Sequence, residues 1–197
     1  MMSASSPPRL RADAAQNRAL LLQAAEEVFT ELGVQAPLEA VSTRAGLGRA
    51  TLFRNFPDRQ TLVMALLERG LDNIAAEARR LAGTPDELVD LLRFVLERMV
   101  LRAPLIEYWQ TAGRQRPEIQ AAIARMIEIF DPLTRRAVAA RRCRADLVSS
   151  DVLPLLALFS GSLCGCSPEQ RETLAARTWA FAMDIVKPTA AKAARKP

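Results

Sequence analysis

Val41-Ser-Thr-Arg44-Ala-Gly46-Leu-Gly48-Arg49-Ala-Thr51-Leu52-Phe53-Arg54-Asn55-Phe56-Pro57 reads as two short helical segments on either side of a glycine turn. The first segment, Leu38 to Ala45, follows Pro37, whose fixed φ suits a helix start, and sends Leu38, Val41 and Ala45 inward. Gly46-Leu47-Gly48 turns the chain, and the second segment runs from Arg49 to Phe56. Leu52 and Phe56 are one turn apart and face the core, which leaves Arg49, Ala50, Phe53 and Arg54 toward the opposite or flanking surface. This is helix-turn-helix spacing, and a helix so exposed fits a major groove about 12 Å wide. Glycine turns also join helices in purely structural bundles, so the spacing alone leaves both readings open.

Charge placement favours the first reading. Between Val41 and Gln60 stand four basic residues, Arg44, Arg49, Arg54 and Arg59, against the single acid Asp58. The whole chain carries 27 basic and 22 acidic residues, a formal +5, and almost all of the positive charge is arginine, the better partner for phosphate. The chain has no histidine, which removes Ser-His-Asp and Cys-His arrangements, HExxH zinc sites and any imidazole base. Three cysteines in 197 residues imply no disulfide framework and suit a reducing cytoplasm. No run approaches 18 uninterrupted apolar residues, and the polar start lacks a signal-peptide core, so no membrane partner is expected. Neither cofactor nor metal is expected, and catalysis is not.

Working outward, alternating β-branched stretches are missing, and Ala, Leu, Arg and Glu dominate, so the fold class is all-α with about nine helices. The first is expected from Asp13 to Leu32, with Leu21, Ala24, Ala25, Val28, Phe29 and Leu32 on one stripe and Gly33 ending it. A fourth helix follows Pro57-Asp58 and runs to about residue 82. Beyond Gly83-Thr84-Pro85 longer helices are expected at about 86–101, 104–112, 117–143, 150–164 and 168–187, with Pro132 and Pro154 kinking or resetting two of them. The domain plan is a flexible arm at 1–12, a helix-turn-helix head at 13–57, a connecting helix at 58–82, a C-terminal ligand-binding and dimerisation domain at 83–187, and a disordered basic tail at 188–197.

The stretch from Arg18 to Gly33 (Arg-Ala-Leu-Leu-Leu-Gln-Ala-Ala-Glu-Glu-Val-Phe-Thr-Glu-Leu-Gly), followed by Val41 to Leu62, resembles the N-terminal domain of the TetR family of transcriptional repressors, across about residues 14 to 70 without gaps. The resemblance implies a dimeric, ligand-responsive repressor: a three-helix head on double-stranded DNA, a connecting fourth helix as the lever, and a C-terminal domain that pairs subunits and encloses a small-molecule effector. It implies DNA contacts from Gly48, Arg49, Ala50, Thr51, Phe53, Arg54 and Asn55. Thr51 stands where a hydroxyl or amide meets phosphate, Asn55 where a His or Tyr does so, and Arg59 where a lysine contacts the backbone. Phe53 replaces the usual tyrosine and loses its phosphate hydrogen bond, Gly48 replaces a frequent serine cap, and Glu39 stands where some members read a base, though solvent is the plainer place for an acid. Arg49 is the candidate for bidentate guanine readout, with a phosphate contact as the alternative. Arg44 and Arg54 are expected on phosphates, with Arg9, Arg11 and Arg18 as further arm candidates.

In the C-terminal half, apolar stripes Val152, Leu155, Leu156, Phe159, Leu163 and Leu174, Ala175, Thr178, Phe181, Ile185 are expected to pair across a two-fold as a four-helix bundle. A pseudo-palindromic operator follows, its half-sites about 34 to 36 Å apart or a little more. Candidate effector-lining residues are Phe94, Leu101, Tyr108, Trp109, Met126 and Phe130, with Arg98 and Glu107 as polar anchors; such side chains are more often core. The run Arg135, Arg136, Arg141, Arg142, Arg144 reads as a solvated face, and Cys164-Gly165-Cys166 as an unremarkable helix end or a thiol or soft-metal pair. Two rivals remain at this stage: an all-α enzyme, which lacks a carboxylate-rich motif, and a helical adaptor with a structural helix-turn-helix.

Overall fold

Helices end where the backbone is forced to turn, and the computed structural model, which describes residues 8–111 and 116–187, places those ends close to the glycines and prolines. The described residues form α1 (Pro8–Leu32), α2 (Leu38–Arg44), α3 (Arg49–Asn55), α4 (Arg59–Leu81), α5 (Glu87–Leu101), α6 (Ala103–Thr111), α7 (Pro117–Ala139), α8 (Val152–Leu163) and α9 (Pro168–Val186), with a 3-10 turn at Ser149–Asp151 before α8. They contain no strand. Two units result, divided within α4 between Glu68 and Arg69.

In the first unit, Leu21, Ala24, Ala25, Val28 and Phe29 of α1 are buried, as the 3.6-residue stripe requires, but Leu32, expected on the same stripe, is the last residue of the helix and is 63% exposed. Gly33 ends α1 at φ +82°, a conformation that costs an L side chain dearly. Helix α1 begins at Pro8 rather than Asp13, so the end of the expected arm is helical; residues 1–7 and the expected tail at 188–197 lie outside the described residues. Pro37 caps α2 from outside with φ −55° and ψ 136°, and Gly46 at φ +66° ends that helix. Gly48 enters α3 from extended backbone without a side-chain cap, and Leu52 and Phe56 are fully buried. Asp58 then caps α4, its Oδ1 accepting from the Thr61 amide at 2.7 Å. That bond holds the Asp58 carboxyl below the usual aspartate range.

In the second unit, Leu91, Leu92 and Val95 of α5 share one core with Phe130 and Leu133 of α7, Val152, Leu155, Phe159 and Leu163 of α8, and Ala182 and Val186 of α9. Pro132 lies inside α7 without breaking it. The bond its missing N–H would make falls to the carbonyl of the exposed Glu128, where water can replace it. Helix α7 stops at Ala139 rather than near 143 because Arg141 adopts φ +56°, and the Arg142 amide closes back on the Ala137 carbonyl at 2.9 Å. Pro154 sits in the first turn of α8, where a missing N–H leaves no intrahelical bond unmade. Glu87, 4% exposed, receives Nε of Arg136 at 2.5 Å, Nη2 at 2.9 Å and the Gly83 amide at 2.9 Å. The guanidinium first, and the amide with it, hold the Glu87 carboxyl below the usual range.

Candidate nucleic-acid interface

Short α3 is held along its inner side and at its C-terminal end. Leu52 and Phe56 anchor its inner side, and the Arg18 guanidinium lies 4.5 Å from the centre of the Phe56 ring, where it also donates to the Asn55 carbonyl at 3.5 Å. That cation satisfies a carbonyl at the C-terminal end of the helix. With the inner side spent, Gly48, Arg49, Ala50 and Arg54 are exposed, and Thr51, Phe53 and Asn55 are half-buried along the flank. The outward face is therefore the one that the spacing indicates.

The arginines of the head differ in what they touch. Arg49 pairs with Glu39 of α2, Nη1 to Oε1 at 3.1 Å, and lies 5.3 Å from the Phe53 ring centre. Glu39, expected in solvent, thus has a partner. Arg54 donates to the Thr51 hydroxyl at 3.1 Å, and the Asn55 side-chain amide donates to the Thr51 carbonyl at 2.9 Å. Arg44 is taken up by the head itself: it forks onto Glu31 at 2.7 and 3.1 Å and reaches Glu27 at 3.3 Å. These hydrogen bonds hold the Glu31 carboxyl low and the Arg44 guanidinium firmly protonated. Arg59 donates to the Val34 carbonyl and stacks 5.7 Å from the Phe29 ring, so in this state it braces the α1–α2 connection. Glu27 and Glu31 are one turn apart on α1, a spacing visible in the sequence, but nothing local says that Arg44 is their partner.

The C-terminal residues singled out above scatter. Phe130 is wholly buried in the core, where it lines a small cavity with Leu88, Leu92 and Thr134, Phe94 and Met126 are packed against that core, and Leu101 is 60% exposed. Arg98 lies 4.9 Å from the Phe94 ring centre, and Glu107 accepts from the Gly165 amide at 3.2 Å. Tyr108 and Trp109 are half-buried on α6. An open groove of about 570 Å³ lies between α5 and α9, lined by Leu96, Val100, Leu101, Ala175 and Trp179 with Arg93, Glu97 and Glu172 at its polar positions; of the eight candidates, Leu101 alone lines it.

The α8 and α9 stripes need correction. Val152, Leu155, Phe159, Leu163, Ala175 and Thr178 are buried in the subunit's own core, and Leu156 packs against it. Leu174, Phe181 and Ile185 do face outward, joined on α8 by Pro154, Ala157, Leu158 and Gly161. Periodicity picks the inner side of α8, but in a helix apolar nearly all round it does not say whether the subunit's own core or a partner covers that side. The basic run is also engaged: Arg135 with Asp131, Arg136 with Glu87, Arg142 with Asp86 and Arg144 with Asp146. Among the described residues no group of three or more His, Cys, Asp or Glu could hold a metal ion, and no helix is long and apolar enough to cross a membrane.

Comparison with known proteins adds independent observations. Residues 21–66 match the model of the family described as bacterial regulatory proteins, tetR family. The HTH-type transcriptional activator FasR of Mycolicibacterium smegmatis is 31% identical over 83 residues, which are 42% of this chain and 38% of that protein; the match thus spans little more than a third of the relative. The TetR transcription regulatory protein of Mycobacterium vanbaalenii superimposes with a TM-score of 0.64 at 29% identity, covering 75% of this chain and 91% of that one. A TetR transcriptional regulator from Streptomyces coelicolor does so with a TM-score of 0.60 at 28% identity, covering 88% and 99%.

Proposed function

The chain belongs to the tetR family of bacterial regulatory proteins, and from that premise we propose that it is a DNA-binding transcriptional regulator that occupies a pseudo-palindromic operator as a homodimer. The observation that carries the reading is the outward face of α3: Gly48, Arg49, Ala50 and Arg54 are exposed together while Leu52 and Phe56 hold the helix from behind. Arg49 reads a base edge; Arg54 and Thr51 meet phosphate. Gly48 lets the backbone approach closely, and Phe53 and Asn55 line the flank. Arg44 and Arg59, each engaged inside the head, act by holding its helices rather than by direct neutralisation.

Pairing is through the outward residues of α8 and α9, Leu158, Leu174, Phe181 and Ile185, beside the small Ala157 and Gly161 that allow helices to approach. The dimer presents two heads to half-sites about one helical turn, roughly 34 to 36 Å, apart. A small-molecule effector bound in the second unit shifts the population away from the operator-fitting state, which makes the protein a repressor acting in the cytoplasm; the shift is bounded by the effector's difference in affinity for the two states. The α5–α9 groove, with its apolar lining, supports such a ligand.

A second sign of regulation has an observation of its own, because FasR is named an activator. Selection of bound duplexes from a random pool tests the shared reading: a palindrome supports it, and recovery of no sequence above background counts against it. A promoter fusion carrying the selected site then separates repression from activation by the direction of the change.

A further inference from the structure

We propose that Cys164 and Cys166 form a reversible dithiol, a modification site for low-molecular-weight disulfides, in the link between α8 and α9. The Cys-Gly-Cys segment is not simply a frayed helix end. Cys164 closes α8 with φ −65° and ψ 132°, Gly165 follows at φ +69°, and the Cys166 amide donates to the Leu163 carbonyl at 3.4 Å. The Cys164 angles, the Gly165 φ and that hydrogen bond fit a type II turn, with glycine at the position that requires positive φ. The turn is pinned on both sides: Glu107 accepts from the Gly165 amide at 3.2 Å, and Ser167 starts α9 with a reciprocal cap to Gln170.

Within this turn the two sulfurs have unequal surroundings. Cys164 is exposed. Cys166 is half-buried, and its Sγ lies 3.5 Å from the Ser162 carbonyl oxygen and 3.6 Å from the Cys164 carbonyl oxygen, folded back over the neighbouring cysteine. Cys143 supplies the contrast, being 4% exposed with its thiol pKa pushed up by burial, so it is inert toward disulfides. The glycine between Cys164 and Cys166 lets the backbone adjust to disulfide geometry. No third ligand stands by for a metal among the described residues, so dithiol chemistry fits the pair better than coordination.

The step balances as an exchange. The Cys164 thiolate attacks one sulfur of R–S–S–R; the S–S bond breaks, a mixed disulfide forms, and one R–S⁻ leaves and is protonated. The Cys166 thiolate then attacks the Cys164 sulfur and releases the second R–S⁻. The protein is oxidised by two electrons, the small disulfide is reduced to two thiols, and the two thiol hydrogens of the protein end on those products. An exposed disulfide is of the easily reduced kind, so the pair rests as the dithiol in a glutathione-poised compartment and closes when the small disulfide accumulates. The link so stiffened joins the helices that carry the outward apolar face.

Native alkylation with iodoacetamide and intact-mass measurement on the full chain, before and after oxidised glutathione, tests this. Expected are two alkylated thiols before oxidation, with Cys143 labelled after denaturation only, then a loss of two hydrogens and protection of both Cys164 and Cys166, reversed by dithiothreitol. Cys166→Ser should stop at a mixed disulfide on Cys164. A stable mixed disulfide in the wild type with Cys166 still alkylated, a disulfide between two chains, two thiols unchanged by excess oxidant, or no adduct on the Cys166→Ser variant would each overturn the proposal.

Discussion

Arg49 at the start of α3 is held by Glu39 in the first turn of α2, Nη1 to Oε1 at 3.1 Å, with the two side chains 69% and 49% exposed. The residue proposed above as the base reader is therefore paired with an acid of its own head. A pair this exposed is weak, so a base edge can take the guanidinium over at little cost. Arg49→Ala is expected to lower operator affinity roughly 5- to 150-fold, corresponding to about 1–3 kcal/mol of base discrimination, and to relax sequence preference at one position of each half-site. Glu39→Gln should tighten binding several-fold, because it frees Arg49 and removes a negative charge beside the phosphates. Titration against a panel of single-base operator variants checks both; equal weakening on every variant would reassign Arg49 to phosphate.

Arg54 and Arg44 should separate in their salt dependence. Arg54 is exposed beside the Thr51 hydroxyl on the outward face, so Arg54→Ala is expected to reduce the slope of log affinity against log salt by about 1. Arg44 is already forked onto Glu31 and reaches Glu27. Arg44→Ala should lower the melting temperature and change the slope less than Arg54→Ala does. Thermal melts and salt titrations on the same two variants decide the matter, and equal loss of slope would place Arg44 on DNA as well.

Phe159 and Phe181 lie on neighbouring helices with opposite exposure, 0% and 50%. Phe159→Ala opens a cavity in the core of the second unit and should cost about 3–5 kcal/mol of stability. Phe181→Glu should leave the protomer folded and shift sedimentation from dimer toward monomer, with operator affinity falling alongside. A folded Phe181→Glu variant that still sediments as a dimer would rule out this face.

The contrast between Phe159 and Phe181 also marks where the amino-acid sequence stops being sufficient. Gly33, Gly46 and Pro37 could be read directly because they act on their own backbone angles, and Leu52 and Phe56 because a seven-residue helix between two turns has one side to bury. Whether the Leu155 and Phe159 side of α8 meets its own core or a partner could not be read, since Leu153 and Leu158 on the remaining surface are as apolar and only packing against α5 and α9 ranks them. The arginine partners were equally hidden. Apart from the Phe53 ring one turn from Arg49, what Arg44, Arg49 and Arg59 meet lies 10 to 30 positions away, and charge counting treats all three alike.

Glu87 gives the second unit a dependence on pH. Its carboxyl is held below the usual range by Arg136 first and by the Gly83 amide, so the folded value is depressed and the stabilisation is complete above the unfolded value of about 4.3. It is lost as pH falls through the folded value. Glu87→Gln is expected to cost roughly 2 kcal/mol at pH 7, where charge-assisted bonds are exchanged for neutral ones at a buried site, and that difference should shrink as pH falls below about 5. Urea unfolding of both proteins as the pH is lowered is the check; a difference that is constant with pH would show that the carboxylate charge contributes nothing.

Phe53 is half-buried on the flank of α3 with the Arg49 guanidinium 5.3 Å from its ring centre. Where a tyrosine is usual in the family, this ring has no hydroxyl to offer a phosphate, and its remaining roles are apolar contact and support of Arg49. Phe53→Tyr restores a donor on a ring of unchanged shape, and one added hydrogen bond of about 1 kcal/mol should tighten binding by roughly fivefold on specific and non-specific duplexes alike, because phosphate carries no sequence information. Phe53→Ala removes the ring beneath Arg49 and should instead weaken the preferred sequence more than a random one. Parallel titrations with both variants on the selected operator and on random duplex separate the two roles. Unchanged affinity of Phe53→Tyr on both duplexes would mean that the flank of α3 does not reach the DNA backbone.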